Sequence, residues 1–221
     1  AQKGQIDDFN TYHENILEWI KIANEYKIPT FVLGVGLGGL IILNLLEKTE
    51  LPIEGILLFS PMLELKKDYK GRKNKLISNV GKISKDTRFK VGITPHDLTR
   101  NDEIIEETAN DGLMLKKVTY SWYNLINEKM KETMDHIRDI KPISALIMYG
   151  TKDKILETQS INEMKDKLKS KEMYFKVWDG LYHEIHNEPE RDLVMRYVLS
   201  FLNNSVNTMG FIVNEEEIED I

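Results

Sequence analysis

The sequence predicts an α/β fold: a mostly parallel sheet with helices on both faces and a helical insertion. Two observations lead to this fold class. Short apolar runs alternate with amphipathic helical segments. The runs are also apolar almost throughout, which is typical of strands buried on both faces of a parallel sheet. A chain of 221 residues suits one such domain with an insertion.

The predicted elements follow one another in a regular order. A first helix is expected over 8–26, where apolar residues recur at three- and four-residue spacings (Phe9, Tyr12, Ile16, Trp19, Ile20 and Ala23). Further helices are predicted over 37–48, 101–110, 114–137, 156–170 and 189–203. Buried strands are predicted over 30–35, 53–60, 143–150 and 173–180.

The chain divides into four predicted parts. Residues 1–62 and 141–204 form the two parts of the α/β core, and residues 205–221 form an acidic tail. Residues 63–140 are an insertion that includes the lysine-rich stretch "KKDYKGRKNK", which is expected to be loosely packed. The insertion follows the second strand and therefore lies at the carboxyl ends of the strands, where α/β folds place their sites.

Composition excludes several kinds of chemistry. With no cysteine, the chain has no disulfide, no thiolate metal site and no cysteine nucleophile. A net charge of -6 argues against a general nucleic-acid binder. No apolar run reaches the length of a transmembrane span and no signal peptide is evident, so a cytoplasmic location is expected. The sequence contains no complete metal ligand set and no complete cofactor motif, so neither a metal nor a cofactor is predicted.

The stretch "FVLGVGLGGLI" (31–41) fits two glycine motifs. Gly34, Gly36 and Gly39 match the G-x-G-x-x-G loop of dinucleotide-binding folds. The same stretch matches the nucleophile elbow G-x-S-x-G, with Gly36 in place of serine. A dinucleotide site needs an acidic residue at the end of the next strand, but that strand ends in "FSP", and Glu54 lies at its beginning. The elbow interpretation is therefore favoured.

Two later residues support the elbow. In that fold an acid follows a later strand and a histidine follows the next one. Asp153 comes just after the strand in "LIMYGTKDKIL", and His183 comes after the strand in "YFKVWDGLYHEIHNEPE". His186 stands close to His183, but no further ligand accompanies the pair. The order Gly36, Asp153, His183 at one sheet edge indicates a hydrolase-type site.

These segments resemble the lysophospholipase and monoacylglycerol lipase branch of the α/β-hydrolases, which is grouped with serine-aminopeptidase-like hydrolases. The resemblance is carried by "GQIDDFNTYHENILEWI", "FVLGVGLGGLI", "GILLFSPML", "LTRNDEIIEETANDGL", "LIMYGTKDKIL" and "GLYHEIHNEPERDLV". It implies that Asp153 is the triad acid and His183 the triad base. It also implies that residues 63–140 form a cap over an acyl-binding cleft.

The same resemblance implies a small-molecule or lipid-like ester ligand and allows peripheral contact with a membrane, although no basic amphipathic anchor is evident. Four side chains are candidates to line the cleft: Val35, Tyr120, Trp122 and Tyr123. A helix as aromatic as the one at 120–123 is more often simply packed against the core.

The chain departs from this family at the elbow. Family members usually carry G-H-S-M-G-G, whereas this chain carries G-V-G-L-G-G. Gly36 has no side chain and cannot form an acyl-enzyme. Val35 and Leu37 also depart from the usual residues, which favours natural drift over a single engineered change. The backbone N–H of Leu37 remains as an oxyanion donor.

A second departure concerns the start of the chain. In the family, earlier strands and a His-Gly loop precede the "GQIDDF" segment. A chain that opens at Ala1 without them is expected to be a fragment of a longer protein or a processed chain. The strand in "FVLGV" is then expected to have an exposed apolar edge.

Three functions remain open from the sequence. The first is an inactive relative of the lipases that binds a lipid-like ester. The second is residual hydrolysis in which His183 activates water directly. The third is a structural or interaction protein without a ligand.

Overall fold

The computed structural model of the chain describes residues 4–6, 8–67, 69 and 86–208. The strands are β1 (Phe31–Val35), β2 (Gly55–Phe59), β3 (Arg88–Lys90), β4 (Lys117–Thr119), β5 (Ile143–Gly150) and β6 (Ser170–Trp178). The helices are α1 (Asn10–Asn24), α2 (Leu37–Leu46), α3 (Pro95–Leu98), α4 (Asp102–Asn110), α5 (Tyr120–His136), α6 (Thr158–Lys167) and α7 (Arg191–Thr208).

A parallel sheet with the strand order β1-β2-β5-β6 forms the centre of the fold. Every neighbouring pair of strands in this sheet runs parallel, so all four carboxyl ends meet at one edge. All residues of β2 and β5 are buried, as expected for strands covered on both faces. The predicted α/β fold is confirmed.

Two hydrophobic cores cover the two faces of the sheet. Along β2, Ile56 and Leu58 belong to the core shared with α2, α5 and α6. The alternating residues Leu57 and Phe59 belong to the other core, together with Phe201 of α7. This alternation follows from the two-residue period of a strand, which sends successive side chains to opposite faces.

The helix predicted over 114–137 begins later than expected. Residues 117–119 form β4, which pairs antiparallel with β3, and α5 begins at Tyr120. Val118 and Thr119 are β-branched and buried, and the Thr119 side chain accepts a hydrogen bond from the N–H of Trp122. The sequence prediction was wrong here because pairing with the distant β3 overrides the helical periodicity.

Other predicted bounds shift by a few residues. The helix predicted over 156–170 ends at Lys167, and the strand predicted over 173–180 spans Ser170–Trp178. Most of the lysine-rich stretch falls on residues 68 and 70–85, which lie outside the described residues, as does the acidic tail from 209 onward.

The outer edge of β1 carries exposed apolar surface, as predicted. Leu33 is 50% exposed, although its register partner Leu57 on β2 is buried. Trp19, one of the apolar residues at helical spacing in α1, is 69% exposed and lines the same edge. An apolar groove of about 540 Å³ runs between α1, β1 and α2. Within the described residues, no helix combines the length and apolar character of a membrane span.

Candidate active site

The turn between β1 and α2 has the geometry of a nucleophile elbow. Gly36 has φ 51° and ψ -115°, a backbone conformation that favours glycine. Its N–H donates to the carbonyl of Phe59 at 3.0 Å, and its carbonyl accepts from the N–H of Met62 at 2.9 Å. The turn is therefore fixed to the end of β2.

Gly34 allows the strand and helix to cross closely. A Cβ atom at Gly34 would lie 2.7 Å from backbone atoms of both Gly38 and Gly39. No other residue fits there without moving α2 away from β1. The glycines of the motif thus serve a tight strand–turn–helix crossing.

The loop after β5 carries Asp153, which is fully buried. Its Oδ1 accepts hydrogen bonds from the N–H groups of Ile155 at 2.8 Å and Leu156 at 2.9 Å. Its Oδ2 lies 2.8 Å from Nδ1 of His183. The Lys66 ammonium donates to the Asp153 carbonyl, which further fixes the loop.

These contacts determine the charge on Asp153. Burial by itself would raise the pKa of the carboxyl, because it disfavours the ionised form. The hydrogen bond and charge of His183, with the two backbone donors, outweigh burial and hold the pKa of Asp153 below its ordinary value. The side chain is a carboxylate at neutral pH.

The loop after β6 places His183 between this carboxylate and the elbow. With Nδ1–H donating to Asp153, Nε2 is left as the basic nitrogen. A Cβ atom at Gly36 would lie 3.0 Å from that Nε2. A hydroxyl carried by residue 36 would therefore fall within reach of an oriented imidazole base. The structure brings together all three positions expected from the sequence.

The other predicted site residues are more peripheral. Leu37 is the first residue of α2, so its N–H has no partner within the helix and lies beside the elbow. This is the position expected of an oxyanion donor. Val35 packs with the core that faces α7.

The three aromatic residues of α5 have packing partners. Tyr123 is buried in the main core, and its hydroxyl donates to the carbonyl of Tyr69. The Trp122 ring nitrogen donates to the Tyr12 hydroxyl on α1 at 3.0 Å. Tyr120 is half-buried at the start of α5. These contacts favour packing, and a role in lining a cleft stays a prediction.

Sequence reasoning missed a buried ion pair behind the histidine loop. Glu188 is fully buried and pairs with Arg100, while its other oxygen accepts from the N–H of Tyr182. The two charged residues stand 88 positions apart, so no spacing in the sequence connects them. From the sequence alone, Glu188 in "HNEPE" would be expected to be a solvent-exposed charge.

His186, which is close to His183 in the sequence, packs against an aromatic ring. It is half-buried beside Phe59, with ring centroids 6.0 Å apart, and burial lowers its pKa. In the part of the chain that the structure describes, no three His, Asp or Glu side chains are grouped to hold a metal ion.

Known proteins are similar to this chain in sequence. The profile of the serine aminopeptidase S33 family matches residues 1–190. The chain is 28% identical over 205 residues to phospholipase YtpA of Bacillus subtilis, which covers 92% of this chain and 79% of that protein. It is also 37% identical to a monoacylglycerol lipase of Mycolicibacterium smegmatis over 57 residues, 26% of this chain and 20% of that one.

Solved structures show the same fold. The monoacylglycerol lipase of Paleococcus ferrophilus superposes with a TM-score of 0.74 at 23% identity, over 87% of this chain and 75% of that one. A soluble variant of Saccharomyces cerevisiae monoglyceride lipase superposes with a TM-score of 0.79 at 19% identity, over 92% and 71%. The family match places the chain in the serine aminopeptidase S33 family of the α/β-hydrolases, and these likenesses show that it shares the fold of the monoacylglycerol lipases.

Proposed function

We propose that this protein binds a lipid-like carboxylic ester in a hydrolase site that cannot form an acyl-enzyme. One observation carries the proposal. The imidazole of His183, oriented by Asp153, points at residue 36, and residue 36 is a glycine. The base and its carboxylate are in place, and the group that they would activate is absent from the sequence.

The missing step follows from the chemistry of the triad. In a serine hydrolase, the base removes the proton from a hydroxyl while the hydroxyl oxygen attacks the ester carbonyl. Gly36 offers no oxygen, so no covalent ester with the protein can form there. Binding and polarisation of a carbonyl by the Leu37 N–H do not depend on that oxygen.

The ligand class rests on the relatives. The names of the proteins that it matches include a phospholipase and monoacylglycerol lipases, which act on esters of fatty acids. We therefore propose a lipid-like ester ligand under a cap formed by residues 63–140, with a cytoplasmic location and peripheral contact with membranes. Lipid recovered with the purified protein, identified by mass spectrometry, would support binding. Repeated recovery without lipid would favour a structural role.

The test of the site restores the hydroxyl. In Gly36→Ser, the introduced Oγ should be labelled by a fluorophosphonate probe, because His183 can accept its proton. Gly36→Ala is the matched control, since it adds the same Cβ without the oxygen. Adding His183→Ala to Gly36→Ser should abolish labelling. A folded Gly36→Ser variant that stays unlabelled would show that the site has lost more than one group.

A second candidate function uses the same pair of residues. The intact Asp153–His183 hydrogen bond favours general-base activation of water, without any covalent intermediate. Turnover of a short-chain nitrophenyl ester by the unmodified chain, lost in His183→Ala, would identify this activity. It would also contradict the proposal that the site only binds.

A further inference from the structure

One segment of the predicted cap contacts the acid loop. We name residues 96–101 the bridging segment. Lys154, which directly follows Asp153, donates from its Nζ to the carbonyl of His96 at 2.8 Å. The same ammonium lies 4.0 Å from the centroid of the Tyr182 ring. This is a cation–π contact with the residue that precedes His183.

The bridging segment also contacts the histidine loop directly. The N–H of Glu184, next to His183, donates to the carbonyl of Leu98 at 2.8 Å. The Thr99 hydroxyl, which is buried, donates to the carbonyl of Asn187 at 2.8 Å. The insertion therefore holds the backbone just before the 3₁₀ turn at 185–187 and the last residue of that turn.

The strongest of these contacts is the ion pair between Arg100 and Glu188. Glu188 Oε2 accepts from Nε of Arg100 at 2.8 Å and from its backbone N–H at 3.3 Å. Glu188 Oε1 accepts from the N–H of Tyr182 at 2.6 Å. A second guanidinium nitrogen of Arg100 lies 2.5 Å from Glu190. A fully buried carboxylate is strongly unfavourable without such partners.

We infer that Arg100 and Glu188 are positioning residues for His183. Glu188 holds the backbone immediately before His183, and Arg100 holds Glu188, so the pair determines where the imidazole stands relative to Gly36. The bridging segment is therefore a rigid part of the site and not a mobile part of the predicted cap. The inference rests on the proposed function only in taking His183 as the working base.

The test follows the imidazole of His183 in the unmodified Gly36 background. Arg100 is about one-third exposed, so Arg100→Met removes its charge with a modest change in packing. In protein labelled with ¹⁵N-histidine, the Nδ1–H proton of His183 should exchange with water about 10-fold faster or more in this variant. Glu188→Gln should act in the same direction. The matched control is Arg196→Met on α7, whose side chain is exposed.

His13, a buried residue of α1, serves as the internal reference in the same spectra. Faster exchange at His183 with an unchanged His13 signal supports the inference. An unchanged His183 signal in both folded variants overturns it. An equal increase in the exchange rate at His183 and His13 also overturns it, because that would indicate a general loss of stability. In Arg100→Lys, the exchange rate at His183 should lie between those of wild type and Arg100→Met. Lysine has one nitrogen and cannot contact Glu188 and Glu190 through two.

A second arm uses the Gly36→Ser background. There Arg100→Met should slow fluorophosphonate labelling about 10- to 100-fold, the range expected from displacing a base by about 1 Å. If Gly36→Ser is never labelled, the proposed function fails, while the exchange measurement still decides the positioning role. The two proposals can therefore fail separately.

Discussion

Two polar clusters of this protein differ in how well their buried atoms are partnered. The first is the Asp153–His183 pair at the carboxyl edge of the sheet. The second lies where α2 meets α5 and α1, and we name it the α2–α5 cluster; its members are His13, Asn44, Glu47, Glu132 and Thr133. In the first, the buried carboxylate has three hydrogen-bond donors. In the second, Oδ1 of Asn44, Oε1 of Glu47 and Nε2 of His13 are buried without a partner among the described residues.

The same physical cause, burial, therefore has different results. At Asp153 the donors outweigh burial and the pKa stays below its ordinary value. In the α2–α5 cluster, burial raises the pKa of Glu47 to about 7, and burial lowers the pKa of His13 to about 4. A buried group keeps its charge only where the surrounding backbone and side chains supply enough partners. The well-partnered cluster lies at the candidate active site.

Removing the carboxylate of the well-partnered cluster should have the largest effect. In Asp153→Ala, two backbone N–H groups and the His183 ring lose their acceptor. We expect a loss of about 3–5 kcal/mol in the free energy of unfolding, measured with urea at pH 7. Asp166→Ala on α6 is the control, because its side chain is 68% exposed, and it should change little.

The pH dependence of the same variant checks the cause. The pKa of Asp153 is lower in the folded chain, so its contribution is present above the unfolded value of about 4. That contribution is lost as the pH falls through the folded pKa. The difference between wild type and Asp153→Ala should therefore shrink below pH ~4. A difference that is constant with pH would mean that packing, not charge, stabilises the pair.

Adding a methyl group beside His183 tests how rigid the same cluster is. Gly36→Ala places a Cβ at positive φ and 3.0 Å from Nε2. We expect it to cost about 1–3 kcal/mol in thermal or urea unfolding. Gly38→Ala is the matched control, because a Cβ there meets nothing within 4 Å, and alanine suits a helix better than glycine. Equal effects at both positions would contradict the strained elbow.

The sequence could predict the first cluster but not the second. Gly36, Asp153 and His183 each follow a strand of one parallel sheet, so their order in the chain predicts that they meet. Asn44 and Thr133 are 89 positions apart on helices whose relative placement no spacing reveals. The Arg100–Glu188 pair and the pairing of β4 with β3 were missed for the same reason. Local pattern predicts elements, while contacts between distant helices and loops depend on the packed fold.

Neutralising Glu47 should have a smaller effect than the changes at the first cluster. Its pKa is higher in the folded chain than the ordinary 4.5, so its contribution is present below pH 4.5 and lost as the pH rises through about 7. Glu47→Gln should therefore be about 1 kcal/mol more stable than wild type at pH 8, with little difference at pH 5. Glu50→Gln, an exposed neighbour, should show no such trend.

The smallest effect is expected from His13, because Glu47 opposes it. The folded pKa of His13 lies below the ordinary 6.5, so its contribution is present above pH 6.5 and lost as the pH falls toward about 4. Between pH 4.5 and 6.5 the two contributions change in opposite directions. Wild-type stability should therefore vary little with pH in that window.

Each single variant should reveal the contribution of the other residue. In Glu47→Gln, stability should rise from pH 4.5 to 6.5, because of the two residues His13 is the one that still titrates between its folded and ordinary pKa values. In His13→Phe, stability should fall over the same interval, because of the two residues Glu47 is the one that remains. Urea midpoints at three pH values in this window measure both slopes. If both variants run parallel to wild type, the unpartnered atoms of the α2–α5 cluster do not control its charge, and the contrast with Asp153 loses its physical basis.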